Sequence, residues 1–329
     1  MGRVSDAMLD YLADSRRFAA FFNGCCFRGR QIVRAEDLQE GSEVYKENKE
    51  QQGSKKTVTR IRDIKKWLKS GGSLNILAIE NQNRVDFTMP WRHMNYDSLE
   101  YGKQIKTLRL KNKKEQNLQP GAEYLCGLRQ SDRLAPVFTI CLYHGEEKWQ
   151  GPRSLRDMMD FGEDKELWES LFSDYRMQLV CLNEIEDFSC FESPLKELFE
   201  ILACQSDRPK LQQMMEQNPE YRYFDGETAA VIKAIIGMES TLQLSENEEG
   251  EVDMCTAMRE WLEEEKEKGR EEGREEGREE GQVIGCEKTL KIIKCLQDRC
   301  TIAEIAQICQ CKIEVVQHVK SELASVLER

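Results

Sequence analysis

Apolar positions along this chain fall into segments of different period. Between residues 5 and 27, Met8, Leu9, Leu12, Phe18, Phe21 and Phe22 recur at helical spacing, with Arg16 and Arg17 opposite. That pattern predicts one amphipathic helix. Residues 40–58 are polar and lysine-rich and predict a loop. In 59–83 the period shortens. A segment beginning at Asp63 runs into Lys69-Ser70-Gly71-Gly72-Ser73, then into the apolar run Leu74-Asn75-Ile76-Leu77-Ala78-Ile79. Two such runs about a glycine turn predict a β-hairpin. Helical spacing returns in 91–110, where Trp91, Tyr96 and Tyr101 interleave with Arg92, Lys103 and Lys106, and 111–119 predicts a basic loop. Residues 135–143 and 177–182 predict strands, and 194–204 and 227–238 predict helices. Strands mixed with helices imply an α/β or α+β core ending near residue 190.

The C-terminal part has its own pattern. From 263 to 281 the unit Gly-Arg-Glu-Glu repeats, placing Gly269, Gly273, Gly277 and Gly281 four apart, followed by Gly285. In a helix this period stacks each residue type on itself with a drift of about 40° per step. Glu271–Arg274 and Glu275–Arg278 offset part of the like-charge repulsion. Each glycine costs about 1 kcal/mol relative to alanine. The segment therefore reads either as a solvated linker or as a helix with a glycine stripe. Residues 286–329 recover helical spacing through Leu290, Ile293, Ile305 and Val316, with Thr301 and Glu304 spaced as a capping box. They predict a small bundle of three helices, open to a helix-turn-helix arrangement. The organisation expected is a core over 1–190, a helical extension over 191–262, the repeat over 263–285 and the bundle over 286–329.

The hairpin carries the candidate chemistry. Sixteen residues separate Asp63 from Glu80, and Gln82 lies two beyond. Side chains alternate across a strand, so Glu80 and Gln82 share a face, and pairing across the turn can set Asp63 beside them. Two carboxylates and an amide oxygen suit a hard divalent cation. Spacing alone also admits a plainer reading, in which both acids are solvated at strand ends.

Charge changes this picture. The net charge is −12, but residues 1–120 hold 23 Lys and Arg against 15 Asp and Glu, and the remainder holds 25 against 45. A basic half containing an acid pair suits a polyanionic substrate. No run approaches the length of a membrane span, and the first thirty residues lack an apolar signal core. The thirteen cysteines therefore read as reduced thiols in a cytoplasmic protein. Cys295, Cys300, Cys309, Cys311 and His318 lack the spacing of a zinc knuckle and read as small apolar fillers. No phosphate-binding glycine loop is present, so no nucleotide cofactor is expected.

Taken in order, Arg62-Asp63-Ile64, LAIENQNRVDFTMPWRHMNYD (77–97), RLAPVFTICLYHGEEKWQGPRSL (133–155) and GREEGREEGREEG (269–281) give a specific resemblance. The chain resembles the Rpn family of recombination-promoting nucleases, also labelled transposases, within the PD-(D/E)XK superfamily. The likeness covers nearly the whole length. It implies a restriction-endonuclease-like mixed sheet flanked by helices, and a DNA endonuclease dependent on Mg²⁺ or on Mn²⁺ or Ca²⁺ in its place. It maps the central acid onto Asp63 and the (D/E)-x-K pair onto Glu80 and Gln82. Gln82 stands where lysine is usual, and Lys65, Arg84 or Arg92 would supply the missing positive charge at the phosphate. Asp14 is the nearest match to a further acid on the first helix. His144, in Tyr143-His144-Gly145, belongs to a family hallmark. Trp91 and Tyr96 read either as core or as stacking platforms for a nucleotide. Two other classes of function stand beside this one: a non-catalytic DNA-binding relative marked by Gln82, and a homo-oligomer assembled through the C-terminal helices.

Overall fold

The computed structural model describes residues 3–41, 44–51, 54–61, 63–238, 247 and 250–327, so Arg62 lies outside the described residues. The chain separates into two units, Met1–Met258 and Arg259–Arg329.

The first unit opens with α1 (Arg3–Ala13) and α2 (Ser15–Phe27). The single helix expected over 5–27 is broken at Asp14. The Asp14 carboxylate accepts from the amides of Arg16 and Arg17 at 2.9 and 3.1 Å and starts the second helix. The short strand β1 (Leu38–Glu40) precedes a hairpin of β2 (Val44–Gln51) and β3 (Ser54–Ile61), where a loop is expected. These two strands pair with each other in a sheet of their own. Both are mostly polar, so no apolar alternation announces them.

The expected hairpin follows as β4 (Ile64–Ser70) and β5 (Ser73–Gln82), turning through Gly71 and Gly72 at φ 58° and 84°. Left-handed backbone at both turn positions is what a glycine pair permits. Next, α3 (Met89–Glu115) runs 27 residues with Pro90 in its first turn. It absorbs most of the basic segment expected as a loop. The unit continues through α4 (Ala122–Cys126), β6 (Val137–Tyr143), α5 (Lys165–Leu171), β7 (Gln178–Cys181), α6 (Leu195–Ala203) and α7 (Arg208–Gln217). The pair β8 (Tyr223–Asp225) and β9 (Glu251–Asp253) brackets α8 (Gly226–Ile236).

The main sheet is mixed and five-stranded, in the order β1-β4-β5-β6-β7. Its β1-β4-β5 side is antiparallel and its β5-β6-β7 side parallel. Alternation gives its two faces different partners. One face packs on helices: α1 meets β5, and α1, α2, α6 and α8 pack among themselves. The rings of Phe18, Phe21, Phe22, Phe191 and Phe199 stack or meet edge to face in that layer. Each buried ring contributes about 1.5–3 kcal/mol. The other face meets α3, where Met89, Cys141, Tyr143, Trp149, Met177 and Cys181 form a buried cluster.

The helix α9 (Met254–Gln297) carries the Gly-Arg-Glu-Glu repeat as continuous helix, so the helical reading holds over the linker. A Cβ placed on Gly269, Gly273, Gly277, Gly281 or Gly285 meets nothing within 4 Å. In the second unit α10 (Ile302–Ile308) and α11 (Ile313–Leu327) complete the expected bundle about Ile292, Ile305, Ala306, Cys309 and Val316. Thr301 and Glu304 form the capping box at the start of α10. Among the described residues no helix is long and apolar enough to cross a membrane.

Candidate functional site

The hairpin brings the three oxygen-bearing residues to one face. Ile64 lies opposite Ile79, and Lys65 opposite Ala78. Continuing that register by one residue sets Asp63 opposite Glu80, with Gln82 on the same side of the pleat. Asp63 Oδ2 accepts the Asn81 amide N–H at 2.8 Å, which holds the carboxylate at the strand end. Asp63 and Gln82 are half-buried, whereas Glu80 is completely buried.

Arg92, in the first turns of α3, covers Glu80. Its Nη2 stands 3.3 Å from Glu80 Oε2 and its Nη1 2.9 Å from Asp86 Oδ2. Burying a carboxylate is costly without a counter-charge, and the guanidinium places one beside Glu80. Burial opposes the charge on Arg92, but the hydrogen bond to Asp86 and the charge of Glu80 outweigh it and raise its pKa. Burial likewise pushes Asp86 up, but hydrogen bonds from Thr88 and Arg92 leave its carboxyl below the usual range. Cys141 lies opposite Glu80 on β6. Burial first, and then the charge of Glu80, hold its thiol well above the ordinary value, so it remains protonated.

The other residues expected at the site divide. Lys65 is fully buried, and its ammonium donates to Glu100 Oε2 at 3.0 Å. It lies opposite Ala78 on the neighbouring strand and forms a buried ion pair with Glu100 of α3. Asp14 caps α2 and lines a depression with Asp10, Tyr11, Arg17 and Glu227, none of them from the hairpin. Arg84 is exposed at the wall of a different cavity. Tyr96 is core, while Trp91 and Phe87 are 42% and 65% exposed beside Arg92 in the sequence.

Sequence reading missed the polar layer beneath α3. His93, Asp97 and Glu100 are buried there. Asp97 accepts from the Thr139 hydroxyl at 2.7 Å and the Tyr175 hydroxyl at 2.5 Å. The signal was present: His93, Asp97 and Glu100 stand four and three apart, which aligns them on one helix face. Also missed was a cavity of about 470 Å³ at the ends of β5 and β6, lined by Arg84, His144, Glu146 and Gln205 among others. Tyr143 pairs with Gln82, so the alternation sends His144 to the opposite face from the acids. His144 is 2% exposed, and neither ring nitrogen has a hydrogen-bond partner among the described residues. Burial lowers its pKa to about 4, against a smaller opposing effect of its own backbone.

Mg²⁺ is held in proteins by one or two carboxylates together with substrate phosphate and water. Asp63 and Glu80, with the Gln82 amide nearby, are the residues whose chemistry would suit such an ion. Among the described residues no group of three or more His, Cys, Asp or Glu side chains is placed to hold an ion. Comparison with family models, curated proteins and solved structures gives no match.

Proposed function

We propose that this chain is a metal-dependent DNA endonuclease of the PD-(D/E)XK type, with a restriction-endonuclease-like core and the family character of the recombination-promoting nucleases. One observation carries the reading: Asp63 Oδ2 accepts the amide N–H of Asn81 at 2.8 Å, between Glu80 and Gln82 at the end of β5. Asp63 and Glu80 would hold Mg²⁺ or Mn²⁺. When bound, the cation supplies a Lewis acid at the scissile phosphate and a more acidic water. Arg92 supplies the positive charge that Gln82, in the usual lysine position, does not. Gln82 offers an amide to orient a water, and the exposed rings of Trp91 and Phe87 offer stacking surfaces for bases.

The test is cleavage of supercoiled plasmid by purified protein with Mg²⁺ or Mn²⁺. Asp63→Ala and Glu80→Ala are expected to lose cleavage by at least a thousandfold while keeping their far-ultraviolet circular dichroism. Variants that cut like wild type would remove the assignment.

A specific observation favours a second reading. Glu80 is completely buried and already paired with Arg92. In a non-catalytic DNA-binding relative that pair is purely internal, and the protein binds duplex DNA with Mg²⁺, Mn²⁺ or Ca²⁺ without cutting it.

A further inference from the structure

A helix rises about 1.5 Å per residue with 3.6 residues per turn. Counted along α3 from Arg92, Lys103, Lys106 and Lys113 come 11, 14 and 21 residues later, close to three, four and six whole turns. The four cations therefore share one edge of the helix over about 32 Å. Lys103, Lys106 and Lys113 are exposed. None of the three enters an ion pair among the described residues, in contrast to Lys65 and Arg92. Arg109, Lys111 and Lys114 widen the band, and the stretch 102–114 contains no acidic residue.

A solvated helix face ordinarily interleaves acids with its bases, as the Glu and Arg of α9 do. Here Lys103–Lys106, Lys106–Arg109 and Lys111–Lys114 are like-charge neighbours three apart, an arrangement that weakens a helix. The uncompensated part, Lys103 to Lys113, runs about 15 Å and matches the phosphates of roughly four base pairs of duplex at about 3.4 Å each. Its inner end is Arg92, which stands on Glu80.

We propose that this edge of α3 is the track for the backbone of duplex DNA, leading it to the Asp63–Glu80 pair. The choice of DNA rests on the reading above, whereas the track itself is independent of the chemistry. Binding is therefore measured with the metal chelated, by fluorescence anisotropy of a short labelled duplex across a salt series. Replacing Lys103, Lys106 and Lys113 together by alanine removes three phosphate contacts. The slope of log K against log salt is expected to fall by about 2.7, and affinity by on the order of a hundredfold at about 0.1 M salt. The control replacing the exposed Lys148, Lys165 and Lys210 by alanine is expected to leave both unchanged. Duplex binding that the triple variant loses with the metal chelated supports the track whether or not the wild-type chain cuts DNA, so loss of the nuclease reading would leave the track standing. Alanine favours helix at exposed positions, and an unchanged melting curve confirms the fold of the triple variant. Wild-type affinity and slope in that variant, or no binding of duplex by the wild-type chain, would overturn the proposal.

Discussion

Glu80 shows how much a single residue's surroundings decide. It stands next to Asn81, whose amide Asp63 holds, and its burial beside Arg92 makes it half of an ion pair. Removing a buried carboxylate from water costs several kcal/mol unless a counter-charge is present, and a guanidinium provides one. His144 is the contrasting case, a buried ionisable ring that the fold leaves neutral. Its folded pKa of about 4 lies below the ordinary histidine value. Below about pH 6.5 the unfolded chain takes up a proton that the folded chain refuses, so this contribution to stability is intact above that pH and is lost as pH falls toward 4. Between about pH 7.5 and pH 5 the wild-type protein should lose about 2 kcal/mol more unfolding free energy than His144→Gln. Denaturant titrations at the two pH values measure this, and equal losses in both proteins would show that His144 is protonated in the fold. Of this residue-scale picture, the parity of Glu80 and Gln82 was legible in the sequence, because a strand's period is two. The opposite face of His144 was not, because it depends on the parallel register of β5 with β6.

Legibility at the scale of elements follows the strength of the apolar pattern. The β4–β5 hairpin was readable from an apolar run and a glycine pair. The β2–β3 hairpin was not, since its residues give no alternation to read. The break between α1 and α2 hides inside one helical period and is set by the capping carboxylate of Asp14. The extension of α3 to Glu115 was obscured by its lysines, which look like a loop until the helix face is drawn. The glycine repeat of α9 is the clearest element-level case. Nothing stands within 4 Å of a Cβ at Gly269, Gly273, Gly277 or Gly281, so alanine fits at each. Replacing all four by alanine should stabilise the helix by about 1 kcal/mol per site. Helical circular dichroism during denaturant unfolding reads this out. Destabilisation, or a drop in solution mass, would show instead that the glycines are packed against a second copy of the chain.

At the scale of the whole molecule, the charge asymmetry of the sequence acquires a location. The basic excess of residues 1–120 includes the band on α3, and that helix begins at the acid pair. The mixed five-stranded sheet and the helices on its faces were anticipated in kind from the alternation of strand and helix patterns. Their order, β1-β4-β5-β6-β7, was not, because strand adjacency is a long-range choice that local periodicity does not encode. The central claim is that Asp63 and Glu80 together hold a divalent cation. The most direct measurement is the anomalous scattering of Mn²⁺ in crystals of the full chain soaked with that ion. The expected result is one peak in contact with both carboxylates, with Arg92 displaced from Glu80. No peak there, and Arg92 still on Glu80 at saturating Mn²⁺, would contradict it.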